Sequence, residues 1–213
     1  KAKRLLEDYQ PRFETDGDDI VIRSTREKAG WNWGTSRTKG FIAVSMPPNM
    51  DLVVDNSSGS VHFAGDFGDA GFTVDNSSGS VMGEAALTAL VIDNSSGRTD
   101  FKALRPLKEF RVDCSSGSVQ LQGGAESVDV DTSSGSVDLE DLLGDATVDT
   151  SSGSVDLAWT SMMPNAEVRI DTSSGGVDLS FPDGTTLTGT IDTSSGGIRS
   201  DFPCIEKQRD HCK

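Results

Sequence analysis

One phrase recurs eight times along the chain. It reads VDNSSGSV from Val54 and Val74, IDNSSGRT from Ile92, VDCSSGSV from Val112, VDTSSGSV from Val130 and Val148, IDTSSGGV from Ile170 and IDTSSGGI from Ile191. The central glycines are Gly59, Gly79, Gly97, Gly117, Gly135, Gly153, Gly175 and Gly196, separated by steps of 18 to 22 residues. A unit that short cannot bury an apolar face by itself. The copies must therefore stack into one continuous array.

Registering the copies on that glycine assigns a role to each position. Five residues before it stands Val or Ile in every copy, and two residues after it Val or Ile in all but Thr99. Seven before stand Leu52, Phe72, Leu90, Phe110, Val128 and Val168; four after stand Phe63, Phe101, Leu121, Leu139, Leu157 and Leu179. Polar residues alternate with these, the period of a strand with one buried face. Each copy thus supplies two short strands meeting at a Ser-Ser-Gly corner. The spacing varies only between one such pair and the next, as in Glu140 to Asp145 against Ala158 to Glu167. Insertions confined to one side are what a solenoid tolerates. A propeller or sandwich has less reason to repeat identical residues at every corner.

The expectation is an all-β chain forming a single parallel β-solenoid with coils of 18 to 22 residues, right-handed by the general crossover preference. About ten coils are expected, the eight repeats alone giving a rod roughly 40 Å long at ~4.8 Å per coil. Three before the glycine, the inward series Asn56, Asn76, Asn94, Cys114, Thr132, Thr150, Thr172, Thr193 should form a ladder of like side chains, each bonding the next. Residues 1–12 read as an N-terminal capping segment, 13–203 as the solenoid and 204–213 as a tail. Before the repeats, Arg12 to Ser24 reads as a hairpin around Asp16-Gly17. With Lys1 and no signal segment, the chain reads as a mature or trimmed form.

Composition narrows the function. Apolar residues are 34% and aromatics 6%, so the core is thin. A net charge of −15 repels phosphate backbones, which argues against nucleic-acid binding. No apolar run reaches the eighteen residues that a membrane-spanning helix needs.

The V-D-[NT]-S-S-G-S-V phrase joins the opening Ala2-x-x-x-Leu6-x-x-Tyr9, DGDDIVIRS, FIAVSMPPNMDLVV and the closing IRSDFP. As a set these resemble a bacterial adhesin-domain family of exported, glycine- and serine-rich repeat proteins, over about Ala2 to Pro203. The resemblance implies a β-solenoid at the cell surface or in the periplasm and carries over no catalytic residues. The tail CIEKQRDHCK departs from the family pattern.

Several residues could carry chemistry. Asp55, Asp75, Asp93, Asp113, Asp131, Asp149, Asp171 and Asp192, each four before the glycine, form an outward stripe. At ~4.8 Å, adjacent carboxylates repel by roughly 0.9 kcal/mol even in bulk water. Each is expected to accept hydrogen bonds from the following serine N–H groups in an Asx-type turn. The sharper alternative is calcium shared by Asp131, Asp149, Asp138 and Asp156, although no copy has the spacing of a known calcium loop. A nucleophilic serine would need a base, and the only histidines are His62 and His211.

Breaks in the repeat are better candidates for binding. Arg98-Thr99-Asp100 replaces the usual Ser-Val-x, and Lys102, Arg105 and Lys108, with Arg111, form either a docking patch for an anionic partner or a solvated basic loop. Trp31, Trp33 and Trp159 could stack on sugars or pack against the rod. Cys114 takes a ladder position and reads as a buried, inert thiol. Cys204 and Cys212 could form a disulfide in an exported protein; a zinc site with His211 lacks a fourth ligand.

The function expected is a non-catalytic, extracytoplasmic scaffold contacting an envelope polymer or protein, without a cofactor. An accessory sensor of envelope stress and a carbohydrate-active β-helix are the alternatives.

Overall fold

The computed structural model describes residues 12–16, 19–23, 41–188, 191–192, 207–208 and 211–212. Every regular element among them is a strand. The chain divides into two units, Lys1–Met46 and Pro47–Lys213. In the first, β1 (Arg12–Asp16) and β2 (Asp19–Arg23) form the expected antiparallel hairpin, with Asp16 opposite Asp19. The expected capping segment, residues 1–12, lies outside the described residues apart from Arg12.

In the second unit the chain alternates between two parallel sheets, and in strand order the elements are β3 (Leu52–Asn56), β4 (Val61–Asp66), β5 (Gly71–Asn76), β6 (Val81–Ala86), β7 (Ala89–Ser96) and β8 (Thr99–Ala103). They continue as β9 (Leu107–Ser116), β10 (Val119–Gln122), β11 (Ala125–Ser134), β12 (Val137–Leu142), β13 (Asp145–Ser152) and β14 (Val155–Trp159), ending with β15 (Val168–Ser174) and β16 (Val177–Ser180). Odd strands form one seven-stranded sheet, even strands another, each in sequence order. This is the parallel β-solenoid read from the repeat, with seven coils among the described residues.

Register follows the glycine alignment, with one shift where Leu142 pairs with Trp159. Val54, Val74, Ile92, Val112, Val130, Val148 and Ile170 pair in succession, and the even sheet stacks Val61, Val81, Thr99, Val119, Val137, Val155 and Val177 likewise. The interior side chains of the middle coils are buried: Val74, Val112, Val130 and Val148 are each 1% exposed. Burying one such side chain is worth about 1.5–3 kcal/mol. A smaller device sits at Gly83, the one position among the seven stacked coils without an apolar residue four after the glycine. A Cβ there would lie 2.7 Å from a Phe63 ring carbon and 3.0 Å from Phe101, whose ring centroids come within 5.6 Å of each other. Glycine lets two aromatic rings meet across an intervening coil.

Each corner turns on its glycine. Gly135 has φ +143°, and a Cβ on it would overlap the Gly117 carbonyl, 2.6 Å from the carbonyl carbon; the same holds at Gly79, Gly97, Gly117, Gly153 and Gly175 against the preceding corner. Gly59, first in the stack, has φ +116° with open space at the Cβ position. Positive φ and close backbone approach both demand glycine.

Of the eighth copy the structure describes Ile191 and Asp192, which join neither of the two parallel sheets. Ile191–Asp192, β17, pairs antiparallel with β19 (His211–Cys212), which also pairs with β18 (Lys207–Gln208). The sequence supplies a reason: seven before its corner stands Gly189, where the other copies place an apolar side chain, so an inward apolar contact that would seat this coil is missing. The seventh coil is correspondingly open, Val177 being 43% exposed where Val155 is 1%.

Candidate functional site

The outward face of the odd sheet carries the carboxylate row. Asp55, Asp75, Asp93, Asp113, Asp131, Asp149 and Asp171 pair in register, all exposed. The expected Asx turns are absent among the described residues. The corner N–H groups turn instead to neighbouring coils: Ser77 N donates back to Asn56 O at 3.1 Å, and Gly59 N forward to Ser78 O at 3.0 Å. With those donors bonded between coils, the carboxylates are left to water. Loss of hydration, then the charges of Asp113, Asp149 and Asp129, push the Asp131 carboxyl above the usual carboxylate range.

The positions two residues earlier divide this face. Val53, Thr73 and Val91 stand on the first three coils, and Arg111, Asp129, Thr147 and Arg169 on the last four. Arg111 pairs with Asp129 at 3.2 Å. A shallow polar groove crosses coils five to seven, lined by Asp129, Asp145, Asp149, Glu167, Arg169 and Asp171.

On the even sheet, Arg98 pairs with Asp100 at 3.0 Å and donates to Gln120 Oε1, while Gln120 Nε2 donates to Asp138 at 3.5 Å. This polar chain crosses three coils beside a second groove that includes Gln122 and Glu140. The sequence marked Arg98 and Asp100 as a break but missed Gln120, whose role appears only when its register with Asp100 is known.

The basic cluster is not one patch. Lys102 lies on β8 in the even sheet and bonds Glu84 at 2.7 Å; Arg105 sits in the connection, 4.0 Å from Asp66; Lys108 lies on β9 in the odd sheet. Two of the three face carboxylates of other coils, and such exposed pairs contribute ~0–1 kcal/mol each.

The calcium candidates fall into two pairs on different sheets, Asp131 beside Asp149 and Asp138 beside Asp156. No group of three or more potential metal-ligating side chains converges among the described residues. Trp159 cannot be a sugar platform. It is 4% exposed, donates from Nε1 to Gly144 O at 2.9 Å and stacks on Phe181 with centroids 4.8 Å apart. Trp31, Trp33 and Cys204 lie outside the described residues, as does the Cys212 side chain. Cys114 is 4% exposed in the ladder; burial, with Asp113 and Asp131, pushes its thiol up, against the pull of the Thr132 hydroxyl. That keeps it protonated and unreactive. His62 is an exposed residue beside Met82.

No helix among the described residues is long and apolar enough to cross a membrane. Compared with known protein families, residues 2–212 match Toastrack DUF4097. No curated protein and no solved structure matches the chain.

Proposed function

The chain belongs to the Toastrack family, and from that premise we propose that it is a non-catalytic display scaffold of the bacterial cell envelope, contacting an envelope polymer or protein through its outward sheet faces. One observation supports this reading above the others. Seven coils present the same carboxylate at the same register position, so the polar groups form a row roughly 29 Å long at ~4.8 Å per step. A repeated row favours a repetitive or extended ligand over a single small substrate. Adhesion and an extracytoplasmic location belong to the proposal and rest on the sequence resemblance.

The test is a binding assay of the purified chain on isolated cell-wall polymer and on solubilised envelope proteins. The proposal expects retention on one of them, weakened when Asp113, Asp131 and Asp149 are changed together to Asn. Selective capture of one defined membrane protein would favour the stress-sensor form of the scaffold. Turnover of a polysaccharide, or retention on neither fraction, would overturn the proposal.

A further inference from the structure

The inner corner row changes chemistry along the rod while the backbone around it does not. In the first coils Asn56 and Asn76 each use Nδ2 twice. They donate to the next asparagine at 2.8 and 3.0 Å, and to the carbonyls of Gly59 and Gly79 at 3.2 and 3.0 Å. Asn94 adds a second donor to Gly79 O at 3.3 Å. The amide thus ties coil to coil and also satisfies the corner carbonyl.

Threonine takes this register position further along. Thr150 is 1% exposed, and its Oγ1 is buried without a hydrogen-bond partner; Thr172 Oγ1 is in the same condition, and Thr132, also 1% exposed, has only the Cys114 thiol beside its hydroxyl. The matching carbonyls of Gly135 and Gly153 accept no hydrogen bond among the described residues. Corner geometry is nonetheless conserved along the rod. A Cβ on Gly97 would lie 2.6 Å from the Gly79 carbonyl carbon, and one on Gly175 2.7 Å from that of Gly153. A threonine side chain ends at Oγ1, one bond short of where asparagine carries its amide nitrogen. Hydroxyl and carbonyl therefore share a polar niche and lack the donor that bridges them in the asparagine coils.

We propose that the threonine corners bind a file of buried waters, one at each of Thr132, Thr150 and Thr172, that continues the asparagine ladder. Each water donates to the corner glycine carbonyl and to a threonine oxygen, and accepts from a neighbouring threonine O–H. Three bonds are typical for a buried water. The dry alternative leaves a buried hydroxyl unpaired, a larger penalty than immobilising a water.

Long-lived waters can be counted on the intact chain by oxygen-17 relaxation dispersion, alongside thermal melts of two variants. Thr150→Asn converts DTSSG into the DNSSG of the first copies, placing an amide where the water would lie; the proposal expects one fewer long-lived water and an unchanged or higher Tm. Thr150→Val keeps shape but removes the hydroxyl, so a hydrated corner loses its water and its Tm falls. In a dry corner the same change removes an unsatisfied group and the Tm rises. Should the wild-type chain show no long-lived water, or should Thr150→Val melt higher with the count unchanged, the proposal is overturned, whether or not Thr150→Asn folds.

Discussion

The asparagine-cornered coils and the threonine-cornered coils share one backbone and differ in how their corners are held. In the first region side-chain amides link Asn56, Asn76 and Asn94 into a chain and occupy the glycine carbonyls. In the second, Thr150 and Thr172 leave their hydroxyls without a protein partner. Corner bonds between coils are the same in both, Gly79 N to Ser96 O at 3.0 Å and Gly135 N to Ser152 O at 3.1 Å. The backbone of a coil is thus set by the glycine contact and the aliphatic rows, and the inner polar row adjusts only how firmly the corner is tied. The outward face changes over nearly the same stretch, from Val53, Thr73 and Val91 to Arg111, Asp129, Thr147 and Arg169.

The largest effect expected is at the shared backbone. Gly135→Ala should cost about 3–5 kcal/mol, adding overpacking to a strained φ, because its Cβ would overlap the Gly117 carbonyl. Gly59→Ala, with open space at that position, should cost only the conformational strain, about 1–2 kcal/mol. Urea melts of the two variants measure the gap, and equal losses would mean the glycines serve φ alone and not stacking.

Next comes the inner row. Asn76→Ala breaks the chain on both sides, removing the acceptor of one Asn56 bond and leaving the buried Asn94 Oδ1 without a donor, and should cost about 2–3 kcal/mol. Thr150→Ala breaks no bond to protein and should cost about 1 kcal/mol. The same melts decide, and a larger loss at Thr150 would reverse the order of the two regions.

The smallest effect is on the charged face. The Asp131 carboxyl is raised above its ordinary range, so the folded state takes up its proton before the unfolded chain does. Above the raised value both states are ionised and the folded one carries the penalty; as pH falls through the carboxylate range the penalty is relieved. Asp131→Asn should therefore stabilise at neutral pH by less than about 1 kcal/mol, with the gain fading toward acid and at high salt. Melts across pH 3 to 7 check the sign, and a gain that grows toward acid would contradict it.

Much of this was readable from the repeat. Period-two alternation around the glycine located both sheets, the Val and Ile rows and the asparagine ladder, because a strand in a stack has no freedom to change face. Contacts that depend on the neighbouring coil were not readable. The corner N–H groups were assigned to Asp55 and its equivalents, since a local acceptor is all that a linear chain displays, yet Ser77 N bonds Asn56 O. Lys102 and Lys108 are close in sequence but belong to different sheets. Trp159 ends β14 at the side where spacing varies, so no register rule foretold its burial over Gly144. The departure of Ile191 from the stack had a visible cue, Gly189, whose weight shows only beside the seven apolar partners of that row.

In-register stacking is tested most directly by distances between spin labels on the carboxylate row, with Cys114, Cys204 and Cys212 replaced by Thr, Ser and Ser. With one label at Asp55 and the second at Asp149 or Asp171, five and six coils away, backbone separations of ~24 and ~29 Å are expected, a step of ~4.8 Å per coil. A separation that fails to grow from Asp149 to Asp171, as corners spread around a ring or set at hairpin tips would give, contradicts the stacked solenoid.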